Sequence, residues 1–239
     1  MKISRRYMLL VELLIAMSLT MVILSMMLVF YDQVDRANSA LEKEQNHSFR
    51  MLYLSTRLAA VVPKAVSSNN PEKDFFFFSS TGIDSFAKPG TSSLVFAFDN
   101  GVKFDPIYSN HVIGRLYVNQ QDQLCLATWP APSRWKEGEI PPMKNEVLYD
   151  HIESLFFTFY IPPAKERQII LDNNRLKKPK NDDLPLEIAG DWKSEWSQEF
   201  KDLPALIKIF IGVNTSQGKQ EIVLAYPLPK SNQIILYDR

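Results

Sequence analysis

Residues 8–30 read MLLVELLIAMSLTMVILSMMLVF, and this stretch determines how the rest of the sequence is interpreted. Of its 23 residues, only Glu12, Ser18, Thr20 and Ser25 are polar. At about 1.5 Å per residue, a helix of this length covers roughly 35 Å, which exceeds the ~30 Å hydrocarbon core of a bilayer. The stretch therefore predicts a transmembrane helix.

The residues that flank this stretch predict its orientation. Three basic residues and no acidic residue precede it: Lys2, Arg5 and Arg6. Under the positive-inside rule, residues 1–7 form a cytoplasmic leader and the chain after Tyr31 lies across the membrane. A cleaved secretory signal peptide, with a small-residue site at 37–39, is the alternative. It is disfavoured because the apolar core of such peptides normally spans about 7–15 residues.

The helix is expected to continue well beyond the membrane. No proline occurs before Pro63 and no glycine before Gly82, so neither helix breaker interrupts residues 8–62. After residue 30, apolar residues recur at helical spacing between charged ones. Residues 31–62 are therefore predicted to form an amphipathic stalk. Two helices with a break near residues 45–48 are the alternative.

From residue 63 to residue 239 the pattern changes to short β-prone runs between turn residues. Such runs occupy residues 75–78, 94–98, 116–118, 124–129, 147–149, 152–160, 222–226 and 234–237, and Ile207, Ile209 and Ile211 alternate with other residues. A helix followed by successive strands predicts an α+β protein with a mainly antiparallel β head. Residues 162–185 mix charges with prolines and are predicted to be an exposed loop.

Composition argues against several functional classes. Lys plus Arg and Asp plus Glu both number 27, and this balance disfavours a general nucleic-acid binder. Cys125 is the single cysteine and the three histidines are far apart, so neither an internal disulfide nor a metal site or cofactor is expected. The motifs of common hydrolases, NTPases and metalloproteases are absent, and no catalytic residue is predicted.

The start of the apolar stretch, MLLVELLIA after a basic leader, resembles the class III signal of type IV pilins and type II secretion pseudopilins. This resemblance implies cleavage between Tyr7 and Met8 by a prepilin peptidase and methylation of the new N-terminus. Glu12 is then the fifth mature residue, which in the family pairs with the N-terminal amine of a neighbouring subunit. Tyr7 departs from the family pattern, which has Gly at this position.

A second segment narrows the resemblance. DWKSEW (191–196) followed by LPALIKI (203–209) is similar to the J-type minor pseudopilins of type II secretion, in which two tryptophans precede a Leu-Pro and a strand. The matching positions are Trp192, Trp196, Leu203 and Pro204, and Trp129 ends a hairpin in the same order along the chain. From the residues alone, the two tryptophans are expected to pack in the core, on a helical turn or in a loop.

The resemblance implies a pilin-like head and a non-enzymatic role in protein export. It implies a tip complex with minor pseudopilins I and K that primes assembly of the major pseudopilin on an inner-membrane platform. The anchor would cross the Gram-negative inner membrane once, with the N-terminus cytoplasmic and the head periplasmic.

Two alternatives share the same anchor and head. One is a minor pilin of a type IV pilus or DNA-uptake fibre. The other is a membrane-anchored envelope binding protein, in which exposed tryptophans would stack on sugars. From Tyr31 onward, 24 Lys+Arg against 26 Asp+Glu leave a net charge of −2, which does not support DNA binding.

Overall fold

The computed structural model describes residues 5–66, 76–81, 86–136, 138–162, 187–197, 200, 202–215, 218–233 and 236–238. The predictions for residues 1–4, 75, 163–186 and 234–235 lie outside these ranges. The chain divides into two compact units, Met1–Arg50 and Met51–Arg239. The second unit is called the head below.

The N-terminal element is a helix, α1 (Arg5–Val61), of 57 residues. It is continuous through residues 45–48, in keeping with the absence of glycine and proline. Between residues 10 and 31 its large apolar side chains are all solvent-exposed, from 49 % for Ile23 to 73 % for Met21. Within the described residues, α1 is the one helix long and apolar enough to cross a membrane, and an 18-residue window of it has a mean hydropathy of 2.6.

The head begins with the last turns of α1. Leu54 and Leu58 are completely buried and Val61 is 1 % exposed, so this part of the helix buries one apolar face. A short 3-10 turn, Val62–Lys64, follows with Pro63 in its first turn. Proline lacks the N–H that an α-helix needs and so ends the element here.

The head contains eleven strands in its described part. They are β1 (Phe77–Ser80), β2 (Ser93–Asp99), β3 (His111–Val118), β4 (Leu124–Pro130), β5 (Lys144–Tyr149), β6 (Ile152–Ile161), β7 (Glu187–Ala189), β8 (Asp191–Lys193), β9 (Leu206–Thr215), β10 (Gly218–Pro227) and β11 (Leu236–Asp238). All the pairings between these strands are antiparallel. The predicted α+β architecture is therefore confirmed.

The first sheet has five strands in chain order, β1-β2-β3-β4-β5. A turn at residues 99–101, whose Asp-Asn-Gly sequence is typical of turns, follows β2: the Gly101 N–H donates to Asp99 Oδ1 at 2.9 Å, and Gly101 has φ +66°. The predicted hairpin is β3–β4, whose turn contains Asp122 at φ +60°. Gly114 on β3 leaves room for the core, because a Cβ there would lie 2.8 Å from Phe98 Cε1.

The second sheet has the order β10-β9-β6-β8, and β11 pairs with β7 in a separate two-stranded ladder. The predicted alternation on β9 is confirmed, since Ile207, Ile209 and Ile211 are completely buried whereas Lys208 and Phe210 are partly exposed. Apolar residues from both larger sheets and from the end of α1 form one core.

Candidate functional site

The apolar part of α1 satisfies its hydroxyl groups internally. Ser18 Oγ donates to the Ile15 carbonyl at 2.8 Å, and Ser25 Oγ donates to the Met21 carbonyl at 2.8 Å. Thr20 Oγ1 donates to the Ala16 carbonyl at 2.7 Å. Each hydroxyl thus bonds to a carbonyl about one turn earlier, so none of them needs water or a partner chain.

Glu12 differs from these hydroxyls. Its side chain is exposed on α1, and among the described residues it forms no hydrogen bond or ion pair. An unpaired carboxylate inside a bilayer costs about 2.5–3.5 kcal/mol or more. No described residue of the chain offsets this cost.

The predicted processing positions, Tyr7 and Met8, lie in the first turn of α1. Their side chains are outside the described part of the structure. Cleavage between these two residues therefore stays a prediction.

Trp196 lies in the core of the head, with 2 % of its surface exposed. Its ring centroid is 4.9 Å from that of Phe200, 5.6 Å from Phe159 and 6.5 Å from Phe77. Its backbone exchanges hydrogen bonds with Ser79 on β1: Trp196 N–H donates to Ser79 Oγ at 2.8 Å, and Ser79 N–H donates to the Trp196 carbonyl at 2.9 Å. Trp196 therefore packs in the core, in an irregular segment after β8.

Trp192 lies on β8 and is half-buried. Its ring packs edge-on against Tyr160, with centroids 5.8 Å apart, and Lys208 Nζ lies 4.0 Å from the ring centroid. The lysine covers part of the indole surface, which a sugar would need for stacking.

The other residues of the predicted head motif also occupy packing positions. Trp129 is half-buried on β4 against a small cluster that includes Tyr117 and Cys125. Leu203 and Pro204 are buried just before β9, and the Leu203 carbonyl accepts a hydrogen bond from Ser231 Oγ at 2.6 Å. The residues of the motif are thus buried or half-buried by packing within the head.

A contact that sequence analysis did not predict joins α1 to β5 inside the head. Arg57 Nε donates to Glu146 Oε1 at 2.9 Å, and Arg57 Nη2 donates to Glu146 Oε2 at 2.8 Å. Tyr53 Oη donates to Glu146 Oε1 at 2.5 Å, and this bond raises the pKa of Tyr53. Because Arg57 and Glu146 are 89 residues apart, no local pattern could have revealed the pair.

The described residues contain no cluster of three or more His, Cys, Asp or Glu side chains that could hold a metal ion. Cys125 is buried, and burial raises the pKa of its thiol, which disfavours the nucleophilic thiolate. A scan against protein-family models and a search of curated proteins each found no match for this chain.

Proposed function

We propose that this chain is a non-enzymatic assembly subunit of the J-type minor pseudopilin kind. In this role it joins the tip complex of a type II secretion pseudopilus and primes fibre assembly for protein export. The long apolar helix α1, the antiparallel β head and the order of the sequence segments from Met8 to residue 229 support the proposal.

The observation that carries the proposal is the contrast between Glu12 and its polar neighbours. Three hydroxyls of the apolar segment bond to their own helix, whereas the Glu12 carboxylate has no partner among the described residues. An opposite charge from a neighbouring subunit would offset the cost of holding this carboxylate in an apolar environment. In the proposed fibre, the free N-terminal amine that cleavage before Met8 gives a neighbouring subunit supplies this charge.

The proposed location follows from the same segment. The basic leader remains in the cytoplasm, α1 crosses the Gram-negative inner membrane once, and the head lies in the periplasm. The proposed partners are minor pseudopilins I and K, the major pseudopilin, the inner-membrane assembly platform and the prepilin peptidase. Nucleic acid and cofactors play no part in this role.

Replacing the carboxylate tests the role of Glu12. In Glu12→Leu we expect fibre assembly and secretion to fall at least about tenfold, the effect of losing about 1.4 kcal/mol of assembly energy. The amount of protein and the thermal unfolding of its head should not change. Ser25→Leu is the matched control, because it also removes a polar group from the apolar segment and should assemble normally. Normal assembly of Glu12→Leu would contradict the role.

Two measurements test the remaining parts of the proposal. N-terminal sequencing of the membrane-extracted protein should begin at Met8, and an intact Met1 would show that the leader is not cleaved. A pull-down from native membranes should recover other pseudopilins. Recovery of type IV pilus subunits instead would favour the pilus alternative, and recovery of neither would count against a fibre subunit.

A further inference from the structure

The head carries a groove that none of the features above explains. Its volume is about 630 Å³, and it lies between the end of α1, the loop after β2 and the start of β5. Its lining residues are Arg57, Asn100, Lys103, Phe104, Asp105, Tyr108, Thr128, Lys144, Asn145 and Glu146. All of them belong to the unit Met51–Arg239.

The walls of the groove are held in place by contacts of their own. Lys144 Nζ lies 3.1 Å from Asp105 Oδ2 and 3.8 Å from the ring centroid of Tyr108. Tyr108 Oη donates to the Pro142 carbonyl at 3.0 Å, and Arg57 is bound by Glu146. A groove with fixed walls loses little conformational entropy when a partner binds.

The charges that line the groove do not cancel. Three cationic and two carboxylate side chains line the groove. Arg57 pairs with Glu146, and Lys144 pairs with Asp105. Lys103 is therefore the one lining cation whose charge no lining carboxylate neutralises. Lys103 is exposed and forms no ion pair within the part of the chain that the structure describes. The groove therefore carries one uncompensated positive charge and favours a carboxylate.

The rim beside Lys103 is apolar. Phe104 is fully exposed and Val102 is 91 % exposed, although both belong to a loop that is tied down by Ser109. A small molecule inside the groove would leave the outer surfaces of these side chains in water. A protein segment lying across the groove would cover them, and exposed aromatic residues are typical anchors of such contacts.

We propose that the groove is a docking site for an acidic, apolar segment of a neighbouring protein. A carboxylate of that segment pairs with Lys103, and an adjacent apolar side chain covers Phe104. The identification of the neighbour as another fibre subunit rests on the proposed function, whereas the docking site itself does not.

Cysteine labelling tests whether the groove is covered. Because the native Cys125 is buried, Val102→Cys in the full chain supplies a single reactive thiol at the rim. The variant is produced at its natural level, and its reaction with a polar maleimide is measured in opened native membranes and after purification in detergent. Phe156→Cys, on the outer face of β6, is the matched control, since Phe156 is also exposed.

We expect the thiol at position 102 to react at least about tenfold more slowly in native membranes, which corresponds to about 90 % occupancy of the groove. The control thiol should react equally fast in both samples. Adding Lys103→Glu or Phe104→Ser to Val102→Cys should restore fast labelling without changing thermal unfolding, because both side chains are exposed. Equal rates at position 102 in both samples would overturn the proposal, as would protection that survives both substitutions.

Two further outcomes separate other occupants from the proposed one. Concentration-dependent protection of the purified chain would identify a second copy as the occupant, and protection in protein-free phosphatidylethanolamine–phosphatidylglycerol vesicles would identify lipid. Either result would overturn the proposal. Protection in native membranes together with a pull-down that recovers no pseudopilin would support the docking site and contradict the proposed function.

Discussion

Two parts of α1 have the same secondary structure but opposite surroundings. Residues 10–30 are apolar around the whole circumference of the helix, and every large apolar side chain among them is exposed. Residues 51–61 are apolar along one face, where Leu54, Leu58 and Val61 are buried while Leu52 on another face is exposed. The first part is typical of a helix that needs an apolar medium on all sides, and the second of a helix that packs on a folded core.

The difference shows where each part obtains its stability. Full burial of a Leu or Val side chain stabilises a fold by about 1.5–3 kcal/mol. Residues 51–61 obtain this gain inside the head, whereas residues 10–30 obtain none within the described chain. The exposed apolar surface of residues 10–30 is consistent with a single-pass membrane anchor.

The largest expected effect comes from truncating a leucine in the two parts. Leu58→Ala should lower the free energy of unfolding of the head by about 2–5 kcal/mol, because it leaves a cavity in the core. Denaturant unfolding of the full chain in detergent, followed by the fluorescence of its four tryptophans, all of which lie in the head, measures this change. Leu19→Ala, in the exposed part, should leave the same transition unmoved. Equal effects of the two substitutions would contradict the contrast between the two parts.

A smaller effect is expected from the polar contact that fixes the second part. Glu146→Ala should destabilise the head by about 1–3 kcal/mol, because Arg57 and Tyr53 lose their shared acceptor while Arg57 remains largely buried. Lys219→Ala, which breaks the exposed pair with Glu153, is the control and should cost less than about 1 kcal/mol. Both changes can be read from the shift of the thermal midpoint, and a larger shift for Lys219→Ala would reverse the expected ranking.

The smallest expected effect is a loss of head stability at alkaline pH. Burial raises the pKa of Tyr226 and of Tyr117 in the folded head. A raised pKa means that the folded head holds the tyrosine proton more tightly than the unfolded chain does. The stability gained in this way is fully present below the pKa of tyrosine in the unfolded chain, about 10, and is lost as the pH rises through the pKa in the folded head. The thermal midpoint should therefore fall above about pH 10.

Tyr226→Phe tests the origin of this pH dependence. The variant should show a shallower fall of the midpoint above about pH 10, although it starts lower because it loses the hydrogen bond from Tyr226 Oη to the Ser55 carbonyl. Tyr31→Phe, in the exposed part of α1, should leave the dependence unchanged. An unchanged slope in Tyr226→Phe would exclude this tyrosine as a source of the effect.

Much of the local structure could be predicted because its signals are short in range. The absence of glycine and proline predicted an unbroken α1, and the alternation of Ile207, Ile209 and Ile211 predicted β9 and its buried face. The Asp99–Gly101 turn and the β3–β4 hairpin likewise depend on neighbouring residues. The candidate site was only partly predictable. The sequence identifies Glu12 as the one carboxylate in an apolar stretch, but only the structure shows that Glu12 has no partner among the described residues.

The sequence by itself determined an apolar helix, a stretch of strands and the position of one carboxylate, because each depends on residue type and local spacing. Only the tertiary structure decided that β6 lies between β9 and β8, that Trp196 is buried against Phe159, and that Arg57 meets Glu146. The docking groove is also a tertiary feature, since Lys103 and Phe104 become its rim only when the start of β5 and the end of α1 approach their loop. These contacts join residues far apart in the chain, and their formation depends on how the whole core packs.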